Sequence, residues 1–423
     1  MDMSSDMIGK IVDGKYEIKK RLGGGAFGDV YLANELLNGS MVRRVALKIL
    51  KTDSMDEQKL REQFNDCTFP ALILDRSVDF ESKKHFVQIF SWGFTEIDYR
   101  EKAYISMELV ADSESLRDVL ERQKKSDFLP DAKAVEDFAR QLLKGLALAH
   151  GFNVIHRDLK PENLMISHDV VRIVDFGLGM ELAGKAGFLG GHAGTIEYMA
   201  PENFIGYYNL ASDVYAAGLI IYELWTNYHP FMYLTNQMGG RSQDNITMLY
   251  EARKRWKYRR GEDINPQVGA SDKLNHIISN CLALNVADRY QSAGEVLEDL
   301  ENYKSASDRD CDAGLIEFQR GDWAAASNLL AASNSHYDKR DEKKLILLEK
   351  LGFALKNSGK PTEALIYLLE AYMLDEERLL LTRELDRRGK LLEAVSECYE
   401  SLGQVNMGRI YRRKIGTYSG QGK

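Results

Sequence analysis

Apolar and polar residues alternate over much of the first fifty positions, with the period of a half-buried β-strand. Three segments show this alternation and contain many β-branched residues: Tyr16–Ile18, Val30–Ala33 and Val45–Leu50. Two further strand-like runs, Phe86–Trp92 and Ala103–Val110, follow a charged, helix-like stretch at 55–69. The pattern therefore predicts a small β-rich lobe at the start of the chain.

The hydrophobic period changes beyond about residue 115. Apolar residues then recur at intervals of three and four positions, which is the spacing along one face of a helix. The clearest example comprises Val135, Phe138, Ala139, Leu142, Leu143 and Leu146. A larger helical lobe is expected to follow the sheet.

A second change occurs near Tyr303, where the polar stretch 304–308 precedes a region of helix-type patterns only. A turn glycine stands five positions before a small residue in three segments: Gly321 with Ala326, Gly359 with Ala364, and Gly403 with Gly408. This arrangement loosely resembles the tetratricopeptide repeat, although the glycines are 38 and 44 residues apart against about 34 in that repeat. We favour a short degenerate repeat array over a generic helical bundle.

Composition narrows the class of protein. The 423 residues predict two or three domains at roughly 150 residues each. The chain has 56 Lys and Arg against 64 Asp and Glu, a net charge of −8, which argues against a basic nucleic-acid binder. The most basic run, Arg253–Arg260, is expected to be a solvated helix end in preference to a binding patch.

The cysteines and the apolar runs indicate an intracellular protein. The four cysteines, Cys67, Cys281, Cys311 and Cys398, form no CxxC pair, so buried thiols are expected instead of a zinc site or disulfides. The N-terminus does not have the pattern of a signal peptide, and no apolar run is long enough to span a membrane. These features predict a cytoplasmic location.

Two neighbouring motifs indicate a nucleotide site. Residues 23–28 read GGGAFG and are followed by a strand, an arrangement that lets backbone amides close over phosphates. Lys48 lies in the apolar run VALK about twenty residues later, where a lysine is costly unless it is paired. The residues favour a lysine held on phosphates and braced by a helix glutamate, for which Glu62 is the best candidate.

The decisive motifs come later in the chain. HRDLKPEN occupies 156–163, DFG occupies 175–177, and Gly194-Thr195 precedes APE at 200–202. With these motifs, residues 16–303 resemble the eukaryotic-type Ser/Thr protein kinases. The sequences of the motifs are similar to those of bacterial members of the family.

The resemblance implies a bilobal α+β kinase fold followed by an all-α helical-repeat domain. The expected division has five parts: an N-terminal extension at 1–15, a kinase domain at 16–303, a linker at 304–312, a helical-repeat domain at 313–416 and a tail at 417–423.

The resemblance also implies ATP and Mg²⁺ as cofactors. Asp158 would accept the hydroxyl proton and Lys160 would steady the γ-phosphate, while Asn163 and Asp175 would hold Mg²⁺. Thr195 would contact the catalytic aspartate, and Lys160 indicates the Ser/Thr branch. Buried structural roles are implied for Asp213, as anchor of the catalytic loop, and for a Glu202–Arg289 pair.

Further residues are implied to bind the nucleotide. Met107 would guard the back of the adenine pocket, and the backbones of Glu108 and Val110 would hydrogen-bond the adenine. The remaining expected contacts are Leu22, Gly23, Gly24, Gly25, Ala26, Phe27 and Gly28 over the phosphates and Val30, Ala46 and Met165 around the base.

The segment between the DFG and APE motifs departs from the family pattern. Its only hydroxyl side chains are Thr195 and Tyr198. We therefore predict that this kinase is not activated by the usual loop phosphorylation and that substrate, the C-terminal helices or a partner protein orders the segment. The helix carrying Glu62 is also irregular, because Asp66 stands where an apolar residue is usual.

The leading interpretation is an ATP-dependent Ser/Thr protein kinase whose helical repeats recruit a protein partner or substrate, with autophosphorylation possible in principle. No nucleic-acid partner is expected. The alternatives are a pseudokinase scaffold, supported by the irregular Glu62 helix, and a small-molecule kinase, which the complete APE element argues against.

Overall fold

The structure is a computed structural model of the 423-residue chain. It describes residues 7–24, 28–50, 79–97, 100–126, 128–174, 180–181, 187–188, 195–236, 243–334, 337, 342–377 and 385–419. The chain divides into two compact units, Met1–Tyr303 and Lys304–Lys423. Among the described residues, every helix is too short or too polar to cross a lipid bilayer.

The first unit begins with a six-stranded antiparallel sheet in the order β1-β2-β3-β4-β6-β5. Its strands are β1 Ile11–Val12, β2 Tyr16–Gly24, β3 Gly28–Leu37, β4 Ser40–Leu50, β5 Ile89–Ile97 and β6 Arg100–Glu108. Alternate apolar side chains from β2, β3 and β4 form one buried core, as the alternation in the sequence predicts.

One strand starts later than predicted. The run expected to begin at Phe86 forms a strand only from Ile89, because Phe86 is buried against the core of the helical lobe instead. A single bridge joins Phe86 to Ile173, so this residue connects sheet and helices.

The helical lobe completes the first unit. Its helices are α1 Phe80–Lys83, α2 Leu116–Ser126, α3 Ala132–Gly151, α4 Leu210–Thr226, α5 Met232–Asn236, α6 Gln243–Arg255, α7 Gly261–Ile264, α8 Asp272–Cys281 and α9 Ala293–Asn302. Short strands follow the same numbering: β7 Glu114–Ser115, β8 Val154–Ile155, β9 Leu164–Ser167, β10 Val170–Ile173, β11 Met180–Glu181, β12 Gly187–Phe188 and β13 Tyr207–Tyr208. Helix α4 is buried on all sides, which explains the apolar run that it contains.

The second unit consists of three helix pairs. Its helices are α10 Ala306–Arg320, α11 Trp323–Asn334, α12 Glu342–Asn357, α13 Pro361–Glu377, α14 Leu385–Ser401 and α15 Val405–Ser419. The turn glycines Gly321, Gly359 and Gly403 have φ angles of 81°, 75° and 75°, a left-handed conformation that favours glycine. The sequence therefore identified the turn in each pair.

The predicted linker at 304–312 is largely helical. Helix α10 begins at Ala306 because the side chains of Ser305 and Asp308 form a reciprocal capping box at its N-terminus. The polar residues that indicated a joint between two domains are thus the start signal of a helix.

Small residues let the paired helices approach closely. A Cβ atom on Gly314 would lie 2.8 Å from Leu330 Cγ, and one on Gly352 would lie 2.6 Å from Leu368 Cγ. Both the glycines and the leucines are 38 residues apart, so the same contact recurs in two successive pairs. The three cysteines in the described part of the chain are free and buried, as expected.

Candidate active site

A cleft of about 1470 Å³ lies between the sheet and the helical lobe of the first unit. Its lining includes fifteen of the residues that the sequence nominated: Leu22, Gly23, Gly24, Gly28, Val30, Ala46, Lys48, Met107, Glu108, Val110, Asp158, Lys160, Asn163, Met165 and Thr195. Gly25, Ala26, Phe27, Glu62 and Asp175 lie outside the described residues. The fold thus brings the described candidates to one cavity.

The roof of the cleft is built by β2, β3 and β4. Gly23 pairs with Val30 and Gly24 with Asp29, so the glycine motif joins two antiparallel strands. A Cβ atom on Gly28 would lie 2.6 Å from the carbonyl oxygen of Ile49, so glycine is required where β3 approaches β4. The described glycines of the motif therefore lie on two neighbouring antiparallel strands, as the sequence predicts.

The back of the cleft carries a buried lysine. Lys48 is 3% exposed on β4, between Val30 on one neighbouring strand and Ile105 on the other. Ala46 lies two residues earlier on the same face and pairs with Met107. An apolar surface with one cation beside it suits a flat heterocycle that carries phosphates.

The strand that ends at Glu108 leaves one backbone donor at the rim of the cleft. The Glu108 N–H donates to the Gln88 carbonyl at 2.8 Å, and the Val110 carbonyl accepts from Ser113 Oγ at 2.7 Å. The Val110 N–H has no acceptor among the residues that the structure describes. Val110 itself lines the cleft.

Opposite the sheet, two side chains converge on the carboxylate of Asp158. Its Oδ1 accepts from the Thr195 N–H at 2.6 Å and from Thr195 Oγ1 at 2.8 Å. Lys160 Nζ lies 2.8 Å from Asp158 Oδ2 and donates to Thr195 Oγ1 at 2.7 Å. Both oxygens of the carboxylate are therefore oriented, and the expected contact between Thr195 and Asp158 is present.

Asn163 is fixed by the same loop. It ends a 3-10 turn, Pro161–Asn163, and its Nδ2 donates to the Asp158 main-chain carbonyl at 2.8 Å. Its own main-chain carbonyl accepts from Val174 N–H at 2.8 Å. Because Nδ2 is used within the loop, the amide oxygen is left to act as a ligand.

The loop that carries Asp158 is anchored on a buried carboxylate. Asp213 accepts from the His156 N–H at 2.7 Å, from the Arg157 N–H at 3.0 Å, and contacts His150 Nε2 at 3.2 Å. Burial acts to raise the pKa of Asp213, but the hydrogen bonds and positive charge from His150 and His156 leave that pKa below its usual value. The anchoring role implied for Asp213 is confirmed, as is the Glu202–Arg289 pair, at 2.7 Å.

The charged run at 253–260 differs from its predicted character. Lys254, Arg255, Arg259 and Arg260 are exposed, but Arg253 is only 2% exposed and lies against the segment that carries Thr195. A solvated end was expected because sequence charge alone does not show which face of α6 is covered.

Sequence reasoning also missed a network beside the site. Glu223, fully buried on α4, accepts from Tyr198 Oη at 2.5 Å and from Arg117 at 3.2 Å, and Arg117 also donates to Glu162 at 2.9 Å. These residues are up to 106 positions apart, so the only available signal was a charged residue within an apolar helix.

Comparison with known proteins agrees with this geometry. A family model described as "Protein kinase domain" matches residues 16–300. The chain is 29% identical to serine/threonine-protein kinase PrkC of Bacillus subtilis over 314 residues, which are 72% of this chain and 42% of that protein. It is 28% identical to serine/threonine-protein kinase PknB of Mycolicibacterium smegmatis over 320 residues, 74% of this chain and 46% of that protein.

The chain spans less than half the length of these curated relatives. Among solved structures, the kinase PK-1 of Cydia pomonella granulovirus matches with a TM-score of 0.51 and 21% identity, covering 67% of this chain and 93% of that chain. At that identity the match shows a shared fold alone.

Proposed function

Because this chain belongs to the protein kinase domain family, we propose that it transfers the γ-phosphate of ATP to Ser and Thr hydroxyls of protein substrates. One observation carries the proposal: Asp158, oriented by Thr195 and Lys160, lines the same cleft as the buried Lys48. A proton acceptor and two cations around one cavity are the groups that phosphoryl transfer requires.

The sheet side of the cleft would hold the nucleotide. Ala46 and Val30 would pack on the adenine from above and Met165 from below, while Val110 N–H would donate to its edge. Lys48 would meet the phosphates, because a buried ammonium is stabilised by an anion. The hairpin glycines would bring backbone amides over those phosphates.

The loop residues would hold a divalent cation. The amide oxygen of Asn163 suits Mg²⁺, which prefers oxygen ligands, and Asp175 would supply a carboxylate. Asn163 and Asp175 would thereby place a Mg²⁺ ion whose positive charge would offset the negative charge of the phosphates.

Asp158 would position the attacking group. Its Oδ2 would accept the hydrogen bond, and then the proton, of the substrate hydroxyl as the new O–P bond forms and the bond to the leaving diphosphate breaks. Lys160 would stay beside the transferred group and balance its charge.

We further propose that this activity does not depend on phosphorylation of the activation segment. Arg157 stacks on Tyr208, with its guanidinium 4.8 Å from the ring centroid. Thr195, one of two hydroxyl residues in the segment, is bonded to Asp158. A phosphate on Thr195 would disrupt that bond, so an active preparation is expected to carry none there.

The helical unit is proposed to recruit a protein partner or substrate. Its support is the recurrence of the same glycine–leucine contact in successive helix pairs, since stacked helix pairs form extended binding surfaces.

Label transfer tests the proposed activity. With Mg²⁺ and γ-labelled ATP, the wild-type chain is expected to label Ser and Thr residues of a generic protein substrate. Asp158→Asn should reduce labelling by about 10²-fold or more and keep the ATP-induced rise in Tm, whereas the exposed control Asp137→Asn should behave as wild type. A wild-type chain that shows ATP stabilisation but no transfer would favour the scaffold alternative.

A further inference from the structure

The guanidinium of Arg253 grips the segment that leads from Thr195 into the helical lobe. Its Nε donates to the Met199 carbonyl at 2.8 Å. One terminal nitrogen donates to the carbonyls of Ile196 and Glu197 at 2.6 and 2.9 Å, and the other reaches Leu249 in its own helix at 3.2 Å. Three of the four acceptors therefore belong to the four residues 196–199.

Among the described residues, this buried cation has no ion-pair partner. Arg253 is 2% exposed, and no carboxylate of the described chain lies within 4.0 Å of it. The rings of Phe204 and Phe231 both lie against its guanidinium, with centroids 4.7 and 4.3 Å from the Cζ atom. Burial lowers the pKa of Arg253 to about 10, so the group stays charged at neutral pH.

Burial of this charge carries a desolvation penalty, so a contribution to folding stability alone does not explain the arrangement. An apolar side chain of similar size would fill the space between two phenyl rings without the desolvation penalty of a charge. Only a planar group with several N–H donors, such as a guanidinium, can hold several backbone carbonyls in position at once. The carbonyls it fixes directly follow Thr195.

The held segment connects two parts of the site. At one end Thr195 contacts Asp158 through both its N–H and its hydroxyl. At the other end Tyr198 donates to Glu223 at 2.5 Å. Between them, Arg253 binds the carbonyls of Ile196 and Glu197, so it sets the path of the backbone that presents Thr195.

We propose that Arg253 is a positioning residue for phosphoryl transfer: it holds residues 196–199 in the conformation that aligns Thr195 with Asp158 and supports a bound protein substrate. Arg253, on α6, supplies the positive charge that orders this segment. Its partners are backbone carbonyls, so the segment needs no phosphate group to bind it. This inference rests on the proposed kinase function.

Kinetics of three variants test the inference. Arg253→Met keeps the volume and loses the donors, Arg253→Lys keeps the charge and loses the fork, and Arg255→Met is the matched control on the exposed side of α6. For Arg253→Met we expect the KM for a protein substrate to rise and kcat to fall by about tenfold each, with the KM for ATP within about twofold. Arg253→Lys should lie between Arg253→Met and wild type, and Arg255→Met should equal wild type.

Hydrogen exchange gives a readout that is independent of activity. The amides of 196–199 should exchange at least about tenfold faster in Arg253→Lys, while those of α4 keep their protection. If the Arg253 variants have a lower Tm but unchanged kinetics and unchanged hydrogen exchange in 196–199, the inference is overturned. Arg253 would then contribute only to the stability of the core. If wild type transfers no phosphate, the proposed function fails, and the exchange experiment still decides whether Arg253 holds the segment.

Discussion

The chemistry of this site depends on which atom of each charged residue is engaged. Asp158 uses Oδ1 for Thr195 and keeps Oδ2 beside Lys160, so its two oxygens have separate tasks. The amide nitrogen of Asn163 donates a hydrogen bond within the loop, and both carboxylate oxygens of Asp213 accept hydrogen bonds from backbone N–H groups. The residue types were predictable from motifs, whereas this division among atoms is set by the folded structure.

His229 provides a residue-scale prediction about pH. Its Nδ1 accepts from the N–H groups of Phe231 and Met232 at 3.1 and 3.0 Å, and its ring packs edge-on against Tyr198. Burial lowers the pKa of His229 to about 4; the charge of Glu223 opposes this effect, and Arg253, Arg117 and Lys124 reinforce it. The unfolded chain, with a histidine pKa near 6.5, therefore binds the extra proton between about pH 6.5 and pH 4.

The free energy of unfolding should consequently fall as the pH decreases through that window. Between pH 7 and pH 5 the contribution of His229 amounts to roughly 1–2 kcal/mol. Urea denaturation of wild type and His229→Asn, which retains an acceptor for the two backbone amides, measures it. The variant should lose correspondingly less stability, and equal losses in both proteins would contradict the assignment.

At the scale of elements, contact distances decide where a small side chain is required. Gly352 on α12 and Gly389 on α14 are both helical glycines, but only Gly352 faces a neighbouring helix closely, since a Cβ atom there would lie 2.6 Å from Leu368 Cγ. No atom in the described part of the chain lies within 4 Å of a Cβ on Gly389. Sequence alone offers no distinction between the two.

Alanine substitution should separate these glycines. Gly352→Ala is expected to lower the free energy of unfolding by about 1–3 kcal/mol, because α12 and α13 must move apart. Gly389→Ala should raise it by up to about 1 kcal/mol through helix propensity. Thermal or urea unfolding of the two variants measures the sign of each change in the free energy of unfolding. A stabilised Gly352→Ala variant would show that α12 and α13 are packed more loosely than the 2.6 Å distance indicates.

At the scale of the whole molecule, each of the two units has its own core. The largest cluster of the first unit ends at Leu300, and that of the second begins at Cys311. Because each cluster consists, among the described residues, of members of its own unit, each unit can bury apolar surface by itself.

A chain ending at Tyr303 is therefore expected to fold and to keep the ATP-induced rise in Tm, with generic phosphorylation within about twofold of the full chain. Loss of selectivity for a physiological substrate would agree with the proposed recruiting role of the helical unit. A truncated chain that is unfolded by circular dichroism would instead make the second unit structural.

Motifs and periodicity were sufficient to predict the family, the two-lobed order of strands and helices, and the glycine turns between paired helices. These features follow from local rules, since periodicity, left-handed glycines and contiguous motifs such as HRDLKPEN act over a few neighbouring residues. Arg253 was misjudged and Glu223 was missed for the opposite reason. Which charge is buried, and against which carbonyls, depends on segments tens of residues apart that only tertiary packing brings together.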